Sequence, residues 1–110
     1  MNAALSISNS QATTSSNEMR AVLKIVQADR FLEELVMPHI DVGNDSIDWD
    51  RIFKNHFCSG HRAAISFAYS VWTDQIRPRA NPIEAAYSMD DTLKVACLRA
   101  LAIRWGVAER

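Results

Sequence analysis

Apolar side chains recur at intervals of three and four residues along most of this chain, and this spacing constrains the fold more than any other feature. Trp49, Ile52, Phe53 and Phe57 stand at i, i+3, i+4 and i+8, which places them on one face of a helix. The spacing predicts an all-α fold, a compact bundle of about five helices. The pattern is clearest after Ser59, where one side carries Ala64, Ile65, Phe67, Ala68, Val71, Trp72 and Ile76.

The amino-terminal residues differ from the rest in composition. Ten of the twelve residues 6–17 are Ser, Thr, Asn or Gln, so this stretch has almost no apolar side chain with which to fold. The whole chain has 110 residues, of which 48% are apolar, enough for one hydrophobic core without disulfides or a structural metal. We therefore predict a disordered polar tail over residues 1–17 and a single helical domain over residues 18–110.

The first helical segment begins at Glu18 and ends at Pro38, because proline cannot continue a helix. Its apolar stripe changes direction in the middle. This change predicts either a kink or a second helix capped by Asp29. Residues 22–26 also have the composition of a strand, but no later segment offers a strand partner.

Turn-forming residues divide the middle of the chain. The composition of residues 41–48 predicts a loop. Ser46 or Asp48, at the end of this loop, is predicted to cap the short helix that follows. A longer helix begins at Ser59 and ends before Pro78.

The last helix is predicted from Met89 to Trp105, after a short helix near residues 82–87, and Gly106 ends it. Apolar residues leave it almost no polar side, which favours a central helix enclosed by the others; the alternative is that one face forms an interface. The small residues Ala96 and Ala100 suit close helix packing. The predicted core comprises Trp49, Phe53, Phe67, Val71, Trp72, Leu93, Cys97, Leu98 and Leu101.

Charge is divided unevenly along the chain. Residues 1–50 hold three basic and eight acidic side chains, and residues 51–110 hold nine basic and five acidic ones. A chain of this kind can present a basic surface to a polyanion or stack head to tail on a charged neighbour; the alternative is two solvated faces that differ in sign. Pro78 separates two arginines in one loop. The predicted nucleic-acid or partner-binding residues are Arg62, Arg77, Arg79, Lys94 and Arg99.

Two histidines and a thiol lie within six residues, at His56, Cys58 and His61. Zinc binds these residue types, and a thiol near the start of a helix can act as a nucleophile. A structural zinc site usually has four ligands, and only His39 and Cys97 remain elsewhere to complete one. The sequence favours a junction between helices, with no catalytic residue, metal or cofactor assigned.

In size, helicity and charge the chain resembles short helical subunits of multisubunit bacterial assemblies, including the small subunits of CRISPR surveillance complexes. We predict a non-catalytic interaction protein, a small subunit or accessory factor of a larger protein or nucleoprotein complex. It would contact its partner, or the backbone of RNA or DNA, through the basic carboxy-terminal half. The alternatives are a small DNA-binding transcriptional regulator and, third, a metalloenzyme that depends on Cys and His.

The first residues lack the basic and long apolar regions typical of a signal peptide, and no apolar run is long enough to span a bilayer. We therefore expect a cytoplasmic protein that does not engage a membrane, and self-association remains open.

Overall fold

The computed structural model describes residues 16–74 and 82–107. These residues are mostly helical, which confirms the predicted all-α fold. Two very short strands are added to it. In chain order the elements are α1 (Asn17–Val26), α2 (Arg30–Val36), a 3₁₀ helix (Met37–His39), β1 (Ile40–Asp41), β2 (Ser46–Ile47), α3 (Trp49–Phe53), α4 (Ser59–Thr73), α5 (Pro82–Ala85) and α6 (Asp91–Arg104).

Side-chain caps begin the first two helices. The Ser16 hydroxyl accepts a hydrogen bond from the Met19 amide at 3.0 Å, so the folded part includes the last two residues of the predicted tail. Residues 1–15 of that tail lie outside the described residues. Asp29 accepts from the Leu32 amide at 3.0 Å, and it separates α1 from α2 as two helices.

Aspartates cap two later helices. Asp48, and not Ser46, caps α3 by accepting from the Arg51 amide at 3.2 Å. Asp90 caps α6 by accepting from the Leu93 amide, so this helix begins two residues later than the predicted start at Met89.

The end of α6 follows the prediction. Gly106 has a φ of +75°, a conformation that glycine adopts without steric cost. Its amide donates to the Ile103 carbonyl at 3.0 Å, and the Val107 amide donates to the Ala102 carbonyl at 2.8 Å. Together these bonds form the double cap that commonly ends a helix at glycine.

The segment predicted as a loop contains a small antiparallel hairpin. Ile40 pairs with Ile47, and Asp41 pairs with Ser46. The Asp41 carboxylate accepts hydrogen bonds from the backbone and side-chain amides of Asn44, which hold the turn between the strands. Each strand has only two residues, too few for a periodic pattern to be visible in the sequence.

Helix α1 lies at the centre of the fold and packs against both α4 and α6. Its apolar face is buried through Met19, Ala21, Val22, Ile25 and Val26. Helix α4 is enclosed in its middle, where residues 63–68 are all buried. This burial includes Ser66, which the pattern alone would place on a polar surface.

Helix α6 is not the enclosed central helix that its composition favours. Ala96 and Ala100 are buried where α6 approaches α1, as their small size suggests. On the opposite side Leu98 is 68% exposed, so its assignment to the core is wrong. The reason is that α6 is covered on one side only.

The other predicted core residues fall into two groups. Phe67, Val71, Leu93 and Cys97 are buried in the core. Trp49, Phe53, Trp72 and Leu101 are partly buried and pack against it.

Candidate functional site

The exposed side of α6 carries a stripe of apolar residues. Val95, Leu98, Ala102 and Trp105 are spaced by three, four and three residues, which aligns them along one face of the helix. Val95 is 43% exposed, Leu98 68% and Trp105 71%. We call these four residues the α6 stripe; it runs about 15 Å along the helix. An exposed apolar stripe of this length is typical of a contact surface.

Two of the predicted binding residues flank the α6 stripe. At 100° per residue, Lys94 and Arg99 lie on opposite sides of it. They line different cavities: Arg99 lines a groove between α1 and α6, and Lys94 lines a smaller cavity with Leu98. Lys94 also lies 3.8 Å from Asp91, in an exposed ion pair.

The groove between α1 and α6 has a volume of about 810 Å³. Its charged lining consists of three cationic side chains, Arg99 from α6 and Arg20 and Lys24 from α1, and one carboxylate, Asp91. Arg20 and Lys24 are not among the predicted binding residues, because they belong to the acidic half of the chain. Their spacing of four residues on one helix was the available signal. The apolar lining of the groove includes Leu23, Val95, Ala96 and Ile103.

The remaining predicted binding residues are not part of this surface in the described structure. Arg62 is half-buried at the start of α4, where its Nη2 donates to the Asn55 carbonyl at 3.2 Å and its guanidinium lies over the Phe57 ring. Arg77 and Arg79 fall in the segment 75–81, outside the described residues. Their role in binding a partner or nucleic acid stays a prediction.

Arg104, a further cation of the basic half, ties three helices together. Its Nε donates to the Val71 carbonyl at 2.9 Å, and Nη2 contacts Asp74 at 2.5 Å and Glu18 at 3.5 Å. These contacts fix the end of α6 to α4 and α1.

The cluster of histidine and cysteine forms a chain of three side chains. Cys58 Sγ lies 3.4 Å from His61 Nδ1, and His61 Nε2 lies 3.1 Å from Asp29 Oδ2. Phe31 stacks on the His61 ring with 5.1 Å between centroids. The contact between His61 and Asp29 joins α4 to the start of α2, as expected for a junction between helices.

This arrangement engages both ring nitrogens of His61 with protein groups. His56 is exposed, and no contact joins it to the chain of three. Within residues 16–74 and 82–107, no group of three His, Cys, Asp or Glu side chains has the geometry of a metal site.

Asp29 is held in its ionised form. Burial by itself would raise its pKa, but hydrogen bonds from the Leu32 amide and from His61 outweigh that effect, and the pKa lies below the usual 3.8. A lowered pKa means that the unfolded chain binds more protons than the folded one at low pH. The stability that Asp29 contributes is therefore present above about pH 4 and is lost as the pH falls through the folded-state pKa.

We expect Asp29→Asn to weaken this pH dependence, because asparagine still caps a helix but does not titrate. Asp29→Ala, which also removes the cap, is expected to cost about 0.5–2 kcal/mol at neutral pH. Urea denaturation between pH 2 and pH 7 would measure both effects. Equal acid sensitivity of Asp29→Asn and the parent would contradict the role assigned to Asp29.

None of the helices in the described part of the chain combines the length and hydrophobicity needed to cross a membrane. Comparison of the chain with protein-family models, with curated proteins and with solved structures gave no significant match.

Proposed function

We propose that this protein is a non-catalytic interaction protein, a small subunit or accessory factor that docks on a larger partner through the α6 stripe. The exposure of Leu98 and Trp105 on a helix whose opposite side is buried carries the proposal. Apolar side chains of this size contribute most of the free energy when an interface covers them, and tryptophan is common among the dominant contacts.

The chemistry around the stripe indicates the kind of partner. Spacings of three and four residues match a helix that packs along another helix. Lys94 on one side, and Arg99 with Arg20 and Lys24 on the other, give the stripe basic flanks. We therefore propose that the partner contributes an amphipathic helix whose apolar face has acidic residues beside it.

A second candidate rests on the groove rather than on the stripe. Arg20, Lys24 and Arg99 line one open groove, a charge arrangement that also suits the phosphates of RNA or DNA. Such binding would be independent of sequence and would weaken steeply with salt. Nucleic-acid binding in the groove would not explain why Leu98 and Trp105 are exposed, so we prefer the docking of a helix.

The test compares the tagged full-length protein with Leu98→Asp after purification from its native host, with mass spectrometry and absorbance at 260 nm. We expect the parent to retain a defined protein that contains an acid-flanked amphipathic helix. Leu98→Asp should lose this protein, because a buried, unpaired carboxylate costs several kcal/mol at an interface. The matched control is Val42→Asp, since Val42 is 37% exposed on the hairpin turn, far along the chain from α6.

Loss of the partner from both variants, or from neither, would contradict the proposal. A second measurement, light scattering during gel filtration, reports self-association. If the parent forms a dimer that Leu98→Asp dissociates, the stripe binds a second copy and the proposed partner is wrong. If nucleic acid is retained and Arg20→Ala with Arg99→Ala releases it, the groove is the functional surface instead.

A further inference from the structure

We propose that Cys58 is a modification site, a nucleophilic thiol that exchanges with low-molecular-weight disulfides with the help of His61. The proposal is independent of the α6 stripe. It rests on the chain of three side chains in which Cys58 Sγ contacts His61 Nδ1 at 3.4 Å and His61 Nε2 contacts Asp29 Oδ2 at 3.1 Å. A nucleophile, a base within reach of it and a third group that orients the base are the parts of an activated thiol.

The contact with Asp29 determines which nitrogen of His61 is free to accept a proton. An ionised carboxylate only accepts hydrogen bonds, so the hydrogen of the neutral imidazole lies on Nε2 and points at Asp29. The lone pair of Nδ1 then faces the Cys58 thiol. Among the described residues, the Asp29 carboxylate, the Cys58 thiol and the Phe31 ring contact the His61 ring.

The position of Cys58 leaves its sulfur open to reagents. Cys58 immediately precedes α4, a helix of 15 residues, and its side chain makes no capping hydrogen bond. Cys58 is also exposed, so a small disulfide reaches it from solvent.

The exchange is balanced without any further reagent. His61 Nδ1 takes the thiol proton as Cys58 Sγ attacks one sulfur of the disulfide. The bond between the two sulfurs of the reagent breaks, and a new one forms between Cys58 and the attacked sulfur. The other half leaves as a thiolate and takes the proton back from His61. The product is a mixed disulfide on Cys58 and one free thiol.

Cys97 serves as an internal control for the reactivity of Cys58. It is the second of the protein's two cysteines, and it is 5% exposed in the core. Burial raises the pKa of its thiol to about 12, and its Sγ lies 3.8 Å from the Met89 sulfur. Cys97 should therefore remain unmodified while the protein is folded.

The experiment treats the folded full-length protein with glutathione disulfide at pH 7 and follows adduct formation by intact mass and peptide mapping. We expect one adduct, on Cys58. His61→Gln should slow adduct formation by at least about tenfold. A general base typically accelerates a reaction by about 10²–10⁴-fold, and we expect a smaller effect here because water also reaches Cys58. His56→Gln is the matched control, since His56 is exposed and lies as close in sequence, and it should react at the parental rate.

Asp29 acts as a positioning residue, and the pH profile of the rate tests that role. Asp29→Asn keeps a helix cap but loses the charge that orients His61. The pH profile of adduct formation in this variant should therefore move toward the profile measured for the protein unfolded in urea. A parental rate in His61→Gln would overturn the proposal. The proposal would also be overturned if the reaction rate of Cys58 in the folded parent did not exceed its rate in the unfolded chain.

Discussion

Replacing Leu93 with alanine is expected to lower the free energy of unfolding by about 2–5 kcal/mol. Leu93 is 2% exposed on the side of α6 that belongs to the hydrophobic core. The loss combines the transfer of its apolar atoms with the cavity that alanine leaves, because neighbouring helices close it only in part. Urea denaturation with the midpoint and slope both fitted would measure the change.

Leu98→Ala is the matched control, since it makes the same change five residues away on the same helix. Leu98 is 68% exposed, so we expect stability to change by no more than about 0.5 kcal/mol. Equal losses in the two variants would mean that α6 is covered on both sides. If the loss of stability caused by Leu98→Ala grew with protein concentration, a second copy of the chain would cover this side of α6.

Gly60→Ala is the second change with a large expected effect. A Cβ atom at this position would lie 2.5 Å from the carbonyl oxygen of Ser88, a backbone atom that cannot rotate away. In an open helix the same substitution would stabilise by up to about 1 kcal/mol. Here the start of α4 must move from the segment that precedes α6, and we expect a net loss of about 1–3 kcal/mol.

Gly43→Ala provides the control for Gly60. Its added Cβ would meet only the Asp41 side chain, at an ordinary contact distance of 3.6 Å. We expect thermal unfolding of this variant to stay close to that of the parent. A Gly60→Ala protein as stable as Gly43→Ala would show that α4 does not approach residue 88 so closely.

The ends of the helices could be predicted because they depend on residues close together in sequence. Asp29 caps the amide of a residue three positions later. Helix α6 ends at Gly106, where the Gly106 amide donates to the carbonyl three positions earlier and the Val107 amide to the carbonyl five positions earlier. Such contacts form within one turn of the chain, so the identities of neighbouring residues determine them. The start of α4 at Ser59 was also predictable, because the periodic pattern of apolar residues that follows it is local in sequence.

The candidate sites were only partly visible in the sequence. Arg99 was predicted as a binding residue, but its groove neighbours Arg20 and Lys24 come from a helix about 75 positions earlier. Cys58 and His61 stood out as a pair, yet the carboxylate that orients His61 is 32 residues away from it. Periodicity carries no information on which helix lies beside which, so these neighbours could not be assigned.

The spacing of apolar and capping residues predicts that the chain is helical, where most of its helices begin and end, and that α6 is apolar nearly all round. Which side of α6 is covered depends on how the helices pack together. Leu93 and Leu98 are chemically identical, and a helix without a polar side gives no indication of which of them faces the core. Helix α1 packs against the side that carries Ala96 and Ala100, because small side chains let two helices approach closely. That packing leaves Leu98 and Trp105 exposed, and the candidate docking surface follows from it.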